Sequence, residues 1–253
     1  MTKLSALTLL VLGVVLSAPL SAEITSSQQS LLDDAEIRRG VRFSSGMQWT
    51  VNAGSQSPKE DANATLIVRT QGGKAAAEVV EPTTSAGKKY LLTGGQMYFY
   101  RPGTKRAVLV PRRQQVAGDA AIGDIASISF LQEYSPSAAH KATLNGESCT
   151  QFELNARPGT TASYDKVLLW VSNTDRVSRK AEFYTKTGKL IRTATFKHDS
   201  KITIGGKELP FLSKLEVVEM LGTPKTTILS FRDFKTKNFS PEVFDVDHLP
   251  AAS

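Results

Sequence analysis

From Met47 to Phe234 the chain is written almost entirely in short β-type segments joined by connections too small for anything but a hairpin. "MQWTV", "NATLIVRT", "AAAEVVE", "KKYLL", "MYFY" and "RAVLV" come first, and "QGGK", "PTTSAGK", "TGGQ" and "RPGTK" join the last five of them. Connections of this length place consecutive strands side by side and antiparallel. After one interruption the pattern resumes with "KATL", an Asn145-Gly146 turn, "SCTQFELNA", "KVLLWV", "RKAEFYT", "LIRTATF", "KITI", "FLSKLEVVEM" and "KTTILSFRDF". About eleven strands in one antiparallel run predict a mainly β chain with a few helices. A flat sheet of that width leaves a wide apolar face and two long edges, so it has to curl. The expected architecture is an incomplete antiparallel β-barrel with a helical lid.

The stretch "MYFYRPGTKRAVLVP", residues 97–111, sharpens the problem. Pro102 and Gly103 suit the two central positions of a type II turn, where Pro presets φ and Gly accepts the positive φ that follows. A half-buried strand alternates apolar and polar, yet Met97, Tyr98, Phe99 and Tyr100 are apolar or amphipathic on both faces. One face is expected to look into the barrel. The face of Tyr98 and Tyr100 is expected to pack on a neighbouring strand or the lid region.

Two helical segments are predicted. "SSQQSLLDDAEIRRGVRF" carries Leu31, Leu32, Ala35 and Ile37 at helical spacing, with Gly40 as the stop. "AGDAAIGDIASISFLQEYSPS" places Ile122, Ile125 and Ile128 three apart, then Phe130 and Leu131, and closes at Pro136. It reads as a short helix or a pair of helical turns.

The first 22 residues have one basic residue, Lys3, an apolar run from Leu4 to Leu16 and small residues ending at Ala22. That is the layout of a secretory signal peptide, and the run is shorter than the ~20 residues a membrane-spanning helix needs. The expected organisation is a cleaved signal over 1–22 and one half-barrel domain over 23–253, exported and soluble. Cys149 is the only cysteine, so no internal disulfide can form, and a buried inert thiol is the expectation. The net charge of +7, or +6 once Lys3 is set aside, either favours anionic surfaces, phospholipid head groups ahead of nucleic acid, or is a solvated basic surface with no partner.

Catalytic signatures are missing. The Gly-Gly-Lys stretches at 72–74 and 205–207 have Val68 and Lys201 where a phosphate loop needs Gly, and no Ser or Thr follows either Lys. Both read as hairpin turns. His140, His198 and His248 are scattered, and Asp245, Asp247 and His248 lack a third well-spaced element for a metal site. No catalytic residue, metal or cofactor is predicted. What remains is surplus apolar area on strands whose alternate positions are often polar. Met47, Trp49, Leu66 and Val68 carry it in the first half, with Met97 and Phe99; Leu169, Phe183, Leu229 and Phe231 carry it in the second. These side chains either fill the barrel as core or line a pocket for an acyl chain, and periodicity does not separate the two.

The order of several stretches resembles the outer-membrane lipoprotein-sorting proteins of the LolA/LolB-like superfamily. The likeness runs through Tyr98 to Pro102, Lys105 and Arg106, the Gly123 to Ala126 segment, and Glu133 with Tyr134. It continues in "YDKVLLWVSNTDRVSRKAEFYTKTGKLIRTATF" and the closing "FDVDHL", and covers the chain from about Thr65 onward. The resemblance implies a half-barrel with helices over an apolar cavity and a periplasmic carrier that holds acyl chains of lipoproteins or other lipids. Ile122, Ile125 and Ile128 then belong to the lid. It also implies transient membrane-surface contact, an inner-membrane transporter as a partner, and no nucleic acid. A second reading is a periplasmic accessory or sensor protein of a membrane transporter or signalling complex built on the same fold.

Overall fold

The protein's structure, a computed structural model, describes residues 24–40, 45–55, 63–111, 115–117, 120–121, 129–160 and 162–250. The signal segment and Ile122, Ile125 and Ile128 lie outside the described residues. So do the four side chains between Gly123 and Ala126 that entered the family resemblance.

One antiparallel sheet of thirteen strands dominates. The first half is a meander: β1 (Met47–Ser55), β2 (Ala64–Gln71), β3 (Lys74–Glu81), β4 (Lys89–Thr93), β5 (Gln96–Tyr100) and β6 (Val108–Val110). The second half contributes β9 (Tyr134–Leu144), β10 (Glu147–Ala156), β11 (Lys166–Ser172), β12 (Ser178–Tyr184), β13 (Leu190–Lys197), β16 (Lys214–Glu219) and β17 (Lys225–Thr236). The spatial order is β6-β5-β4-β3-β2-β1-β17-β16-β13-β12-β11-β10-β9. The seam joining the halves is β1 against β17, with Val51 opposite Phe231 and Ala53 opposite Leu229. β6 and β9 are the two edges, so the curved sheet does not close into a barrel.

The thirteen strands of the main sheet exceed the expected eleven, and two short ribbons pair outside it. β14 (Ser200–Ile204) and β15 (Lys207–Phe211) leave the main sheet as a separate hairpin, turned by Gly205 and Gly206 at positive φ. β7 (Gln115–Ala117) and β8 (Ala120–Ala121) form a second small ribbon where the start of a helical segment was expected. The turn chemistry follows the sequence elsewhere. Gly103 has φ +85°, and the Asn145-Gly146 pair has φ 51° and 84°, the two left-handed residues of a tight hairpin.

Helix α1 (Ser26–Ile37) opens with a capping box. Gln28 N–H donates to the Thr25 hydroxyl at 3.3 Å, and Thr25 N–H donates to Gln28 Oε1 at 2.8 Å. The helix buries Leu31, Leu32 and Ala35 in the same apolar cluster as the concave face of the sheet. α2 (Phe130–Glu133) is a single turn capped by Ser129 and adds Phe130 to that cluster.

The opening puzzle of β5 is answered by the C-terminus. After β17 the chain crosses to the convex face and forms a 3-10 turn over Pro241–Phe244. Phe244 and Leu249 pack with Ala76, Leu91 and Tyr100 in a second apolar cluster, flanked by Tyr98, Phe239, Val243 and Val246. Tyr98 and Tyr100 therefore pack under a C-terminal strap, against the expectation of a neighbouring strand or the lid. The "FDVDH" stretch is the end of that strap. Lys89, 6% exposed, holds it down by donating to the carbonyl oxygen of Leu249 at 3.3 Å.

Candidate functional site

Strand alternation puts one side chain in two on the concave face, and the register aligns these positions across strands. Trp49 lies opposite Val68, Val51 opposite Leu66, and Leu92 opposite Met97. On the other half, Leu169 lies opposite Phe152 and Ala181, and Phe183 opposite Val167. Met47, Trp49, Leu66, Val68, Met97, Leu169, Phe183, Leu229 and Phe231 are all buried in one cluster. Phe99 is half-buried and packs against that cluster, 4.9 Å from the Tyr90 ring centre to centre. The ten residues singled out in the sequence thus converge on one surface, although they come from six strands.

Several residues on the same surface were not singled out. Phe152 and Leu154 of β10 and Leu215 and Val217 of β16 are buried in the cluster. Their alternation in "QFELN" and "KLEVVE" was visible, but no bulky aromatic excess marked them. Trp49 carries the other unexpected feature: its indole Nε1 is enclosed and has no hydrogen-bond acceptor among the described residues. An enclosed donor left unpaired costs about 1–3 kcal/mol, so it is a feature that an acceptor on a bound molecule would relieve.

Where α1 meets α2, a charged group crosses the apolar surface. Glu36, 2% exposed, accepts from Arg39 at 3.0 Å, from the backbone N–H of Phe130 at 3.2 Å and from the Ser129 hydroxyl. The Arg39 guanidinium lies 4.3 Å from the centre of the Phe130 ring and 5.5 Å from that of Phe196. This cluster fixes the point at which the segment carrying Ile122, Ile125 and Ile128 rejoins the described fold. On the outer side of α1, Asp34 pairs with Arg176 and with Arg38, the latter at 3.4 Å.

His198 sits near these charges, at the end of β13, with both ring nitrogens enclosed and without a hydrogen-bond partner among the described residues. Burial, and then the positive charges of Arg179, Arg39 and Arg38, push its pKa down to about 3. Arg179 itself makes a two-pronged contact to Glu147 at 2.9 and 3.1 Å, which holds the Glu147 carboxyl below its ordinary range. Cys149 is 1% exposed and burial pushes its thiol up, the environment of an unreactive cysteine. Among the described residues no three His, Cys, Asp or Glu side chains converge on a common point.

The convex side has a crevice of about 260 Å³ beneath the strap, lined by Arg69, Lys89, Tyr90, Phe239 and Leu249 among others. Ordinary small-molecule pockets span roughly 300–1,000 Å³, so this crevice is a poor place for an acyl chain. The concave face is the candidate site.

A family model described as "Uncharacterized protein" matches residues 72–251. The chain belongs to that family. No curated protein matches it. Solved structures share its fold along nearly their whole length. A LolA superfamily protein from Nitrosomonas europaea superimposes with a TM-score of 0.74 at 24% identity, covering 87% of this chain and 98% of that one. A domain assigned to outer membrane lipoprotein-sorting proteins, from Vibrio parahaemolyticus, gives 0.70 at 18% identity over 88% and 99%. A DUF1329 family protein from Desulfovibrio piger gives 0.70 at 15% identity over 87% and 98%. The family member described here therefore has a LolA-like fold, as the sequence resemblance implied.

Proposed function

We propose that this family member is a periplasmic carrier that holds the acyl chains of a lipoprotein or another lipid against the concave face of its sheet. The observation that carries the reading is the continuous buried apolar cluster running from Met97 on β5, across the seam at Val51 and Phe231, to Phe152 on β10, in a sheet that never closes. The LolA-like fold and the lipoprotein-sorting assignment of one structural neighbour support it. Each buried methylene of a guest contributes about 0.8 kcal/mol, so one long chain is held firmly and still released to a competing apolar sink. Binding, and not bond-making, is the work required, and it needs no catalytic group. Trp49 Nε1 offers a donor to an ester or amide carbonyl of an acylated guest. Residues 1–22 act as the export signal and 23–253 as a single domain, with the segment around Ile122, Ile125 and Ile128 as part of the lid.

Trp49 and Trp170 are the only two tryptophans, and only Trp49 belongs to the concave cluster. A brominated fatty acid titrated into the Trp170→Phe variant should quench the remaining emission saturably. Emission of that variant unaffected by the brominated chain contradicts the proposal.

A further inference from the structure

Charge is distributed very unevenly along this chain. Between residues 82 and 118 there are seven basic residues and no acidic one, while the rest of the chain holds 24 basic and 24 acidic residues. The whole net charge of +7 is therefore the charge of one segment, whose described residues include β4, β5 and β6. Within it Arg101, Lys105 and Arg106 are exposed on the turn between β5 and β6 and form no ion pair among the described residues.

Two exposed apolar side chains, Val108 and Leu109, lie in the same segment, and two more, Met220 and Leu221, lie at the turn between β16 and β17. Among the described residues four large apolar side chains are strongly exposed: Val108 at 52%, Leu109 at 60%, Met220 at 39% and Leu221 at 48%. The register places their turns at the same end of the strands, with β6 and β16 seven positions apart in the sheet order. Lys89 pairs with Tyr100, Phe99 with Val108, Ser55 with Thr227, and Glu219 with Lys225. In an antiparallel sheet these pairings put the turns after β3, β5 and β16 at one end of the strands. Val108 and Leu109 point to opposite faces of β6, so this edge strand is greasy on both sides and has no further strand beside it among the described residues. A natural edge strand is ordinarily blunted by charge at its own positions. Here the charge stands beside the apolar pair on the adjoining turn.

We propose that this end of the sheet is a docking surface for an anionic phospholipid bilayer. Val108 and Leu109 enter the head-group layer while Arg101, Lys105 and Arg106 lie against the phosphates, with Met220 and Leu221 as a second apolar anchor. Interleaved cations and apolar side chains match a surface that is anionic outside and apolar just beneath. The inference deepens the carrier reading by naming the membrane-facing end, and its test does not depend on acyl capture.

The full mature chain is sedimented with vesicles of phosphatidylcholine alone or with a third phosphatidylglycerol. Binding should require phosphatidylglycerol and weaken as salt is raised. The double variant Lys105→Glu with Arg106→Glu should lower partitioning by at least about tenfold. Val108→Ser with Leu109→Ser should also lower it, without changing the melting temperature, because both side chains are already exposed. Lys141→Glu with Lys207→Glu, a charge-matched change of exposed residues elsewhere, should leave it nearly unchanged. Absence of binding to the anionic vesicles overturns the proposal. So does an equal loss in the Lys141/Lys207 control, or binding indifferent to the Val108/Leu109 change. Brominated-acyl quenching that persists in a variant unable to bind vesicles would separate failure of this surface from failure of the carrier reading.

Discussion

The carboxylate of Glu36, in the last turn of α1, accepts a hydrogen bond from the backbone N–H of Phe130 at 3.2 Å, so a buried charge on the first helix caps the start of the second. The same carboxylate takes the Ser129 hydroxyl and the Arg39 guanidinium, and all four groups sit at the edge of the concave apolar surface. Removing the Glu36 carboxylate takes one buried hydrogen-bond or charge partner from each of the other three groups. Glu36→Ala should cost about 3 kcal/mol, read by urea unfolding. Glu36→Gln should cost less, because its amide oxygen still accepts from Phe130. Equal stability of Glu36→Ala and the parent chain would contradict this assignment.

The C-terminal strap makes the second prediction. Leu249 is 4% exposed and covers Leu91 and Tyr100 on the convex face, where Lys89 fixes the strap backbone. Leu249→Ala should cost about 2 kcal/mol from lost burial and the space left behind. Deleting 241–250 should leave Leu91 and Tyr100 uncovered and raise binding of a hydrophobic dye. A deletion variant with unchanged dye binding would show that the strap is dispensable as a cover.

Much of this was legible in advance, for identifiable reasons. Strand existence and hairpin order follow from period-two apolar patterning and Gly-containing turns, and "QGGK", "TGGQ" and "IGGK" turn where they should. The concave residues were legible because bulky apolar side chains alternate with polar ones, as in Met47, Trp49 and Val51. The strap was not legible. "FSPEVFDVDHLP" has no period that matches a regular element, and its Phe244 and Leu249 find their apolar partners, Ala76, Leu91 and Tyr100, far back in the chain. The Glu36 cluster was hidden for a related reason. An Asp-Asp-Ala-Glu stretch on an amphipathic helix reads as a solvated face until α2 is laid over it.

Gly46 gives a third prediction. A Cβ built there would lie 2.3 Å from the carbonyl oxygen of Lys237 and 2.6 Å from the Phe239 ring. Gly46 also accepts a backbone hydrogen bond from Lys237 at 2.8 Å, so the two chains meet without room for a side chain. Gly46→Ala should destabilise by about 1–3 kcal/mol, by overpacking against backbone that cannot move aside. A melting temperature at or above that of the parent would contradict the close approach.

The fourth concerns acid. His198 titrates near 3 in the folded chain against an ordinary value of 6.5, so between those limits the unfolded chain binds more protons. Stability from this residue is fully present above pH 6.5 and declines as pH falls towards 3, by up to about 4 kcal/mol. His198→Asn should flatten that part of the stability profile measured by denaturant unfolding. A variant with the same slope between pH 6.5 and 4 would assign the acid sensitivity to other groups.

The central claim is that the apolar concavity receives a guest and is not simply packed shut by its own side chains. The most direct measurement is solvent extraction and mass spectrometry of protein purified gently, without detergent, from the periplasm of an expressing cell. The account predicts near-stoichiometric recovery of an acylated molecule from the parent chain, and much less from Phe99→Asp, a half-buried position at the rim where a charge can be tolerated by the fold. A folded parent chain that yields no acylated molecule, and takes none up when one is offered, would contradict it.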